Sequence, residues 1–227
     1  MGGSAVVLLH ALGRGSGTWG DFGARLAGRR VLAVDLPGHG DSAHAEKYSL
    51  AAMADEVTDL LGERADLGGR VAVLLAQRLP GRVRRLVVED TAPPPLGPLE
   101  PLAPAQEPPE RLPFDWRLID PDHGRTAHAD PVWWDRLAAI TAPTLLVSGG
   151  PASHVTRESL ERMCGLIPDC RLVTIDDAGH LVHGTNPAEF AAVAGGVPRS
   201  GVIRVTCLGA LPKHPRDLMS ISRIGAV

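Results

Sequence analysis

Two kinds of pattern alternate along this chain. Short runs that are apolar almost throughout occupy residues 5–10 (AVVLLH), 30–35 (RVLAVD), 84–90 (RRLVVED), 144–148 (TLLVS) and 171–175 (RLVTI). Runs of this length without polar alternation predict strands buried on both faces. A further, very short strand candidate is 64–67 (RADL). Between the runs lie stretches of helical period. In residues 18–28, Trp19, Phe22 and Leu26 fall at helical spacing, and in 49–62 Leu50, Met53, Val57, Leu60 and Leu61 share a face behind a capping Ser49. Residues 68–79, 156–167 and 187–194 complete the helices. Strand and helix in alternation predict an α/β fold, a parallel sheet of about six strands with helices on both faces. With right-handed crossovers the strand order is 2-1-3-4-5-6, and a site is expected at the carboxyl ends where the order reverses.

Two segments break the pattern. Residues 92–131 contain a run of prolines from Pro93 to Pro113 and little periodicity, which predicts a Pro-rich, lid-like insertion. Trp116, Trp133 and Trp134 flank or end it; they suit a pocket wall, and core packing fits the Trp133–Trp134 pair at least as well. Residues 196–227 lack a helical period and carry five Lys/Arg against one acid, the character of a poorly ordered tail. The expected organisation is one domain over residues 1–195, containing the insertion, and an atypical tail over 196–227.

Composition narrows the function. A formal net charge of −3 over 227 residues gives no field that would favour nucleic acid or an anionic membrane. Cys164, Cys170 and Cys207 are sparse, odd in number and without CxxC spacing, which argues against a disulfide framework or a zinc site. No leader-like or membrane-length apolar run is visible, so the expected location is the cytoplasm. No dinucleotide fingerprint, P-loop or metal-ligand cluster appears, so no cofactor is expected. Oligomeric state is not readable from the pattern.

Four stretches, in order, resemble the α/β-hydrolase family from about residue 5 to 194. VVLLHALG (6–13) is similar to the family's strand and oxyanion loop, and VLAVDLPGHGDS (31–42) to its next strand and Asp-x-Pro-Gly-His-Gly-x-Ser loop. RVRRLVVEDTAPP (82–94) resembles the strand after the nucleophile helix, and DDAGHLVH (176–183) the loop that presents the histidine. The chain starts at the first family strand identifiable here, without the usual N-terminal antiparallel pair.

The resemblance implies a serine on a tight strand-to-helix turn, G-x-S-x-G, and no such sequence occurs anywhere in the chain. At the expected place Leu67 runs directly into Gly68–Gly69, as though about five residues were deleted and the central strand shortened. Ser16, Ser42, Ser148 and Ser153 are the alternatives if another serine serves. The resemblance makes His180 the general base, His39 a structural loop histidine, and the Leu12 N–H the oxyanion donor, with Ala11 where glycine is common. His183 reads as incidental. The triad acid has no carboxylate in SGGPASH (148–154), which leaves Asp90 at the end of LVVED as the leading candidate; a plain turn residue heading the Pro-rich loop is an equal reading. Asp176 and Asp177 stand too close to His180 in sequence.

By descent the function is then hydrolysis of a small ester-like substrate by a serine hydrolase, impaired or absent because the elbow is missing. The expected partner is a small, partly apolar molecule at the carboxyl ends of the strands, with no nucleic acid and no membrane. The alternatives are a non-catalytic ligand-binding or interaction protein on the same scaffold, and a degraded gene product.

Overall fold

The structure, a computed structural model, describes residues 5–26, 29–61, 69–94, 107–108, 110–120 and 131–195. The candidate strand 64–67, the elbow junction up to Gly68, most of the Pro-rich insertion and the tail 196–227 lie outside the described residues.

The elements follow in chain order. Strand β1 (Ala5–Leu9) leads through a 3-10 turn (Ser16–Trp19) to helix α1 (Gly20–Ala24) and strand β2 (Arg30–Val34). Helices α2 (Leu50–Leu61) and α3 (Gly69–Arg78) precede strand β3 (Leu86–Glu89). Helix α4 (Pro131–Asp135) and a 3-10 turn (Arg136–Ala139) precede strand β4 (Thr144–Ser148). Then come α5 (Arg157–Leu166), β5 (Cys170–Thr174), the short α6 (Val182–Thr185) and α7 (Pro187–Gly195).

All described ladders are parallel. β1 pairs with β2, Ala5 opposite Arg30 and Leu9 opposite Val34. β3, β4 and β5 form a second ladder, with Leu86 opposite Thr144 and Thr144 opposite Cys170. Successive side chains on a strand face opposite ways, and the core divides accordingly. Val7, Leu9, Leu86, Val88 and Leu146 pack with Met53, Val57, Val71, Leu75 and Met163 of α2, α3 and α5. Val6, Leu8, Val87, Leu145 and Val147 pack on the other face with Phe22 of α1 and Phe190 of α7, and with Trp19. Both ladders contribute to both layers, so helices cover the two faces of a parallel arrangement.

The strand at 30–34, expected to be buried on both sides, is half exposed: Arg30 and Ala33 face solvent. Among the described residues it has a neighbour on one side only, which is the position of an edge strand. The tryptophans at 133 and 134 belong to the core. The Trp134 indole N–H donates to the Pro94 carbonyl at 2.8 Å, the Arg162 guanidinium lies 5.1 Å from its ring, and the Gln77 amide donates to the Trp133 carbonyl at 2.7 Å. Ser49 does cap α2, its hydroxyl accepting from Ala52 N–H at 3.0 Å. Cys164, near the end of α5, is bonded to Cys170, at the start of β5, with Cα atoms 5.4 Å apart. Sparse cysteines argued against such a bridge. Sequence spacing did not show that a helix end and the next strand's start bring the two together.

Thr156 caps α5, accepting from Ser159 N–H at 3.3 Å. Thr156→Ala is expected to cost about 1 kcal/mol in a urea-unfolding measurement, the usual loss for an N-cap. No described helix is long and apolar enough to cross a membrane.

Candidate active site

Four strand ends, those of β1, β3, β4 and β5, supply the candidate site. At the end of β3 the backbone turns sharply: Asp90 has φ 39°, a left-handed conformation that Asp tolerates better than most residues. Its N–H still bonds Val147 O at 2.7 Å, so the turn starts from a strand fixed in register. The Asp90 carboxylate is wholly buried. One oxygen accepts from Gly149 N–H at 2.8 Å. The other accepts from the Ser153 hydroxyl and faces His180 Nδ1 at 2.8 Å.

His180 comes from the loop after β5. Ile175 N–H donates to Ser148 O at 2.9 Å, and Gly179 N–H donates to Gly149 O at 2.9 Å, which stitches this loop to the end of β4. The stitch requires glycine at 149, because a Cβ there would collide with the Gly179 carbonyl. With Nδ1 turned to Asp90, the other ring nitrogen, Nε2, is buried and has no partner among the described residues. The His154 ring lies 4.2 Å away, centre to centre.

The loop after β1 is held by two neutral histidines. Leu36 N–H donates to His10 Nε2 at 3.0 Å, and Gly13 N–H donates to His39 Nε2 at 3.1 Å. Each Nε2 therefore accepts, which puts the proton on Nδ1. There His10 faces Ala11 O at 2.7 Å and His39 faces Pro37 O at 3.1 Å. Burial lowers the His10 pKa and brings that of His39 down to about 4. His39 thus has the structural role its motif implied. Ala11 is accommodated without strain; positive φ in this loop falls on Gly13, at 78°. The Gly13 N–H is spent on His39, whereas nothing among the described residues accepts the Leu12 N–H.

The candidate serines are engaged elsewhere. Ser42 donates to Asp35 O at 2.6 Å, Ser148 accepts from Gly150 N–H at 3.3 Å, and Ser153 bonds the Asp90 carboxylate. Ser16 binds Asp35 through its backbone N–H, at 2.6 Å. Among the described residues no serine oxygen bonds His180. Helix α3 starts at Gly69, in a left-handed conformation with φ 44°, and the turn expected before it lies outside the described residues.

A model of the alpha/beta hydrolase family matches residues 6–193. The chain belongs to that family. Among curated relatives, an sn-1-specific diacylglycerol lipase of Mus musculus is 27% identical over 242 residues, spanning 82% of this chain and 78% of the lipase. An esterase of Mycobacterium tuberculosis is 28% identical over 250 residues, spanning 86% of this chain and 84% of the esterase. Among solved structures, the thioesterase domain from a curacin biosynthetic pathway superposes with a TM-score of 0.66 at 20% identity, over 84% of this chain and 90% of that one.

In this hydrolase-family chain the residues around the site do more than their sequence suggested. His183, which read as incidental, is buried and paired with the buried Glu89 carboxylate at 2.9 Å. The sequence held only a partial signal, two adjacent carboxylates (Glu89, Asp90) and two histidines three residues apart, with nothing in it to pair them. The described part of the Pro-rich insertion docks on the 36–48 loop. Asp115 N–H donates to Gly38 O at 2.7 Å, and the Asp115 carboxylate accepts from Tyr48 at 2.7 Å and from Arg117 N–H at 3.1 Å. Burial pushes the Asp115 carboxyl up, but these bonds reverse that and hold it below the ordinary range. Burial, with Asp115 beside it, raises the Tyr48 phenol to about 12. A groove of about 880 Å³ opens along this segment, and its lining includes none of Asp90, His180 and Leu12.

Proposed function

We propose that this chain is a serine-hydrolase scaffold whose ester-cleaving machinery is assembled except for its nucleophile, and that its turnover of ester-like substrates is impaired or absent. In this reading His180 is the general base, Asp90 orients it and stabilises its cation, and the Leu12 N–H is an oxyanion donor. The Nδ1 contact with Asp90 leaves Nε2 as the nitrogen available for proton transfer. The substrate class is a small, partly apolar ester at the carboxyl ends of the strands, as the lipase and esterase names of the relatives suggest.

The observation that carries the reading is the absence of any G-x-S-x-G in the sequence beside a buried His180 Nε2 without a described partner. In serine hydrolases loss of the nucleophile lowers kcat by a factor on the order of 10⁶, so residual binding cannot compensate. With a short-chain aryl ester, hydrolysis is expected at the level of the His180→Ala variant. Clear turnover that disappears in His180→Ala would refute the inactive reading and point to a serine outside the G-x-S-x-G pattern.

A further inference from the structure

The loop that carries His180 is fastened on both sides of the histidine. On the near side Gly179 N–H bonds Gly149 O. On the far side the fastening is the buried pair of Glu89 and His183. His183 N–H donates to Glu89 Oε1 at 2.8 Å, and His183 Nδ1 lies 3.1 Å and 2.9 Å from the two carboxylate oxygens. His183 Nε2 faces Thr18 O at 3.3 Å, and its ring stacks on Trp19 with centres 4.0 Å apart. Phe22 and Phe190 border the same ring edge-on or tilted.

Helix α6 has four residues, too few to hold its own shape. Its N-terminal N–H groups need outside acceptors, and Glu89 supplies one from a strand. Glu89 and Asp90 are consecutive on the end of β3. One carboxylate therefore anchors α6 while the next receives His180, and the strand end fixes the spacing between anchor and acceptor. A buried carboxylate–histidine contact is weak evidence for stability, since apolar residues of similar shape often do as well. Its use here is geometric.

We infer that Glu89 and His183 are positioning residues for His180, holding its loop so that Nδ1 meets Asp90. This rests on the reading of His180 as the base. Both the hydrogen bonds and the location at the strand end that carries Asp90 favour this role over core filling.

The test is imidazole proton NMR on the full chain labelled with 15N-histidine. The native chain is expected to show a slowly exchanging His180 Nδ1 proton bonded to Asp90. Glu89→Leu combined with His183→Phe removes both hydrogen-bonding partners and keeps a ring on Trp19, so the fold, checked by circular dichroism, should survive. In that variant the His180 proton is expected to exchange about tenfold faster or to be lost, the effect of freeing a loop from about one hydrogen bond. A folded double variant with native exchange would overturn the inference. If the double variant does not fold, Glu89→Gln carries the test: faster exchange supports the role, and native exchange overturns it. Turnover does not enter this readout. A native chain without an Asp90-bonded proton would instead refute the base assignment itself.

Discussion

Insertion of Val-Gly-His-Ser-Met between Leu67 and Gly68 is expected to turn this chain into a measurable esterase. The insertion makes Gly68 the last glycine of a G-x-S-x-G turn and places the new serine just before α3. The parts that must meet it are already fixed. His180 Nδ1 is 2.8 Å from Asp90, whose other oxygen is tied to Gly149, so on the proposed function the imidazole already meets its orienting acid. The amide following the new serine would join the Leu12 N–H as a second oxyanion donor. One such donor is worth about 10²–10³ in rate and the nucleophile more, so the aryl-ester rate should rise by at least about 10³ over the native chain. Replacing the inserted serine by alanine, or His180→Ala in the inserted chain, should abolish the gain. If residues were deleted there, the insertion should also raise the urea midpoint, because the added residues would lengthen a strand and its ladder of hydrogen bonds. An inserted chain with neither turnover nor added stability would mean that residues 64–70 are not a deleted elbow.

Those parts were not equally legible in the sequence. The fold was, because continuous apolar runs and helical periods carry the parallel sheet and its covering helices directly. The exposure of the second strand was not: the order 2-1-3-4-5-6 puts it at an edge, but RVLAV has the same apolar composition as its neighbours, and only the structure shows that Ala33 is exposed. Asp90 was legible through its place at a strand end. The sequence could not choose between an acid and a turn residue; in the structure it is a positive-φ turn whose carboxylate faces His180, and the acid role belongs to the proposed function. Glu89 and His183 were not legible as a pair, since their 94-residue separation closes only when β3 and the loop after β5 lie side by side. His10 was hidden for a related reason. Its acceptor role depends on Leu36 N–H, which only the β1–β2 pairing brings within reach.

The two neutral histidines also make the 10–13 loop sensitive to acid. His39 is buried and its pKa is lowered from 6.5 to about 4; burial lowers His10 in the same direction. A histidine with a depressed folded pKa takes up its proton in the unfolded chain first. Its contribution is fully present above pH 6.5, falls as the pH drops below that, and is gone once the pH passes the folded value near 4. For His39 the gap corresponds to about 3 kcal/mol. The lowered carboxyls of Asp35 and Asp115 act in a different window, since their contribution is lost only as pH falls below the unfolded value of 3.8. Urea midpoints measured between pH 7.5 and 4.5 should therefore decline steeply through the histidine window. In His39→Gln the decline should be shallower by most of that amount, from a lower starting stability at pH 7.5. Protonation of the folded His39 puts an N–H where Gly13 N–H needs an acceptor, so the loop that carries Leu12 should be released only once the pH falls below about 4. If His39→Gln lost stability with the same slope as the native chain, the buried neutral pair would not be what holds the 10–13 loop.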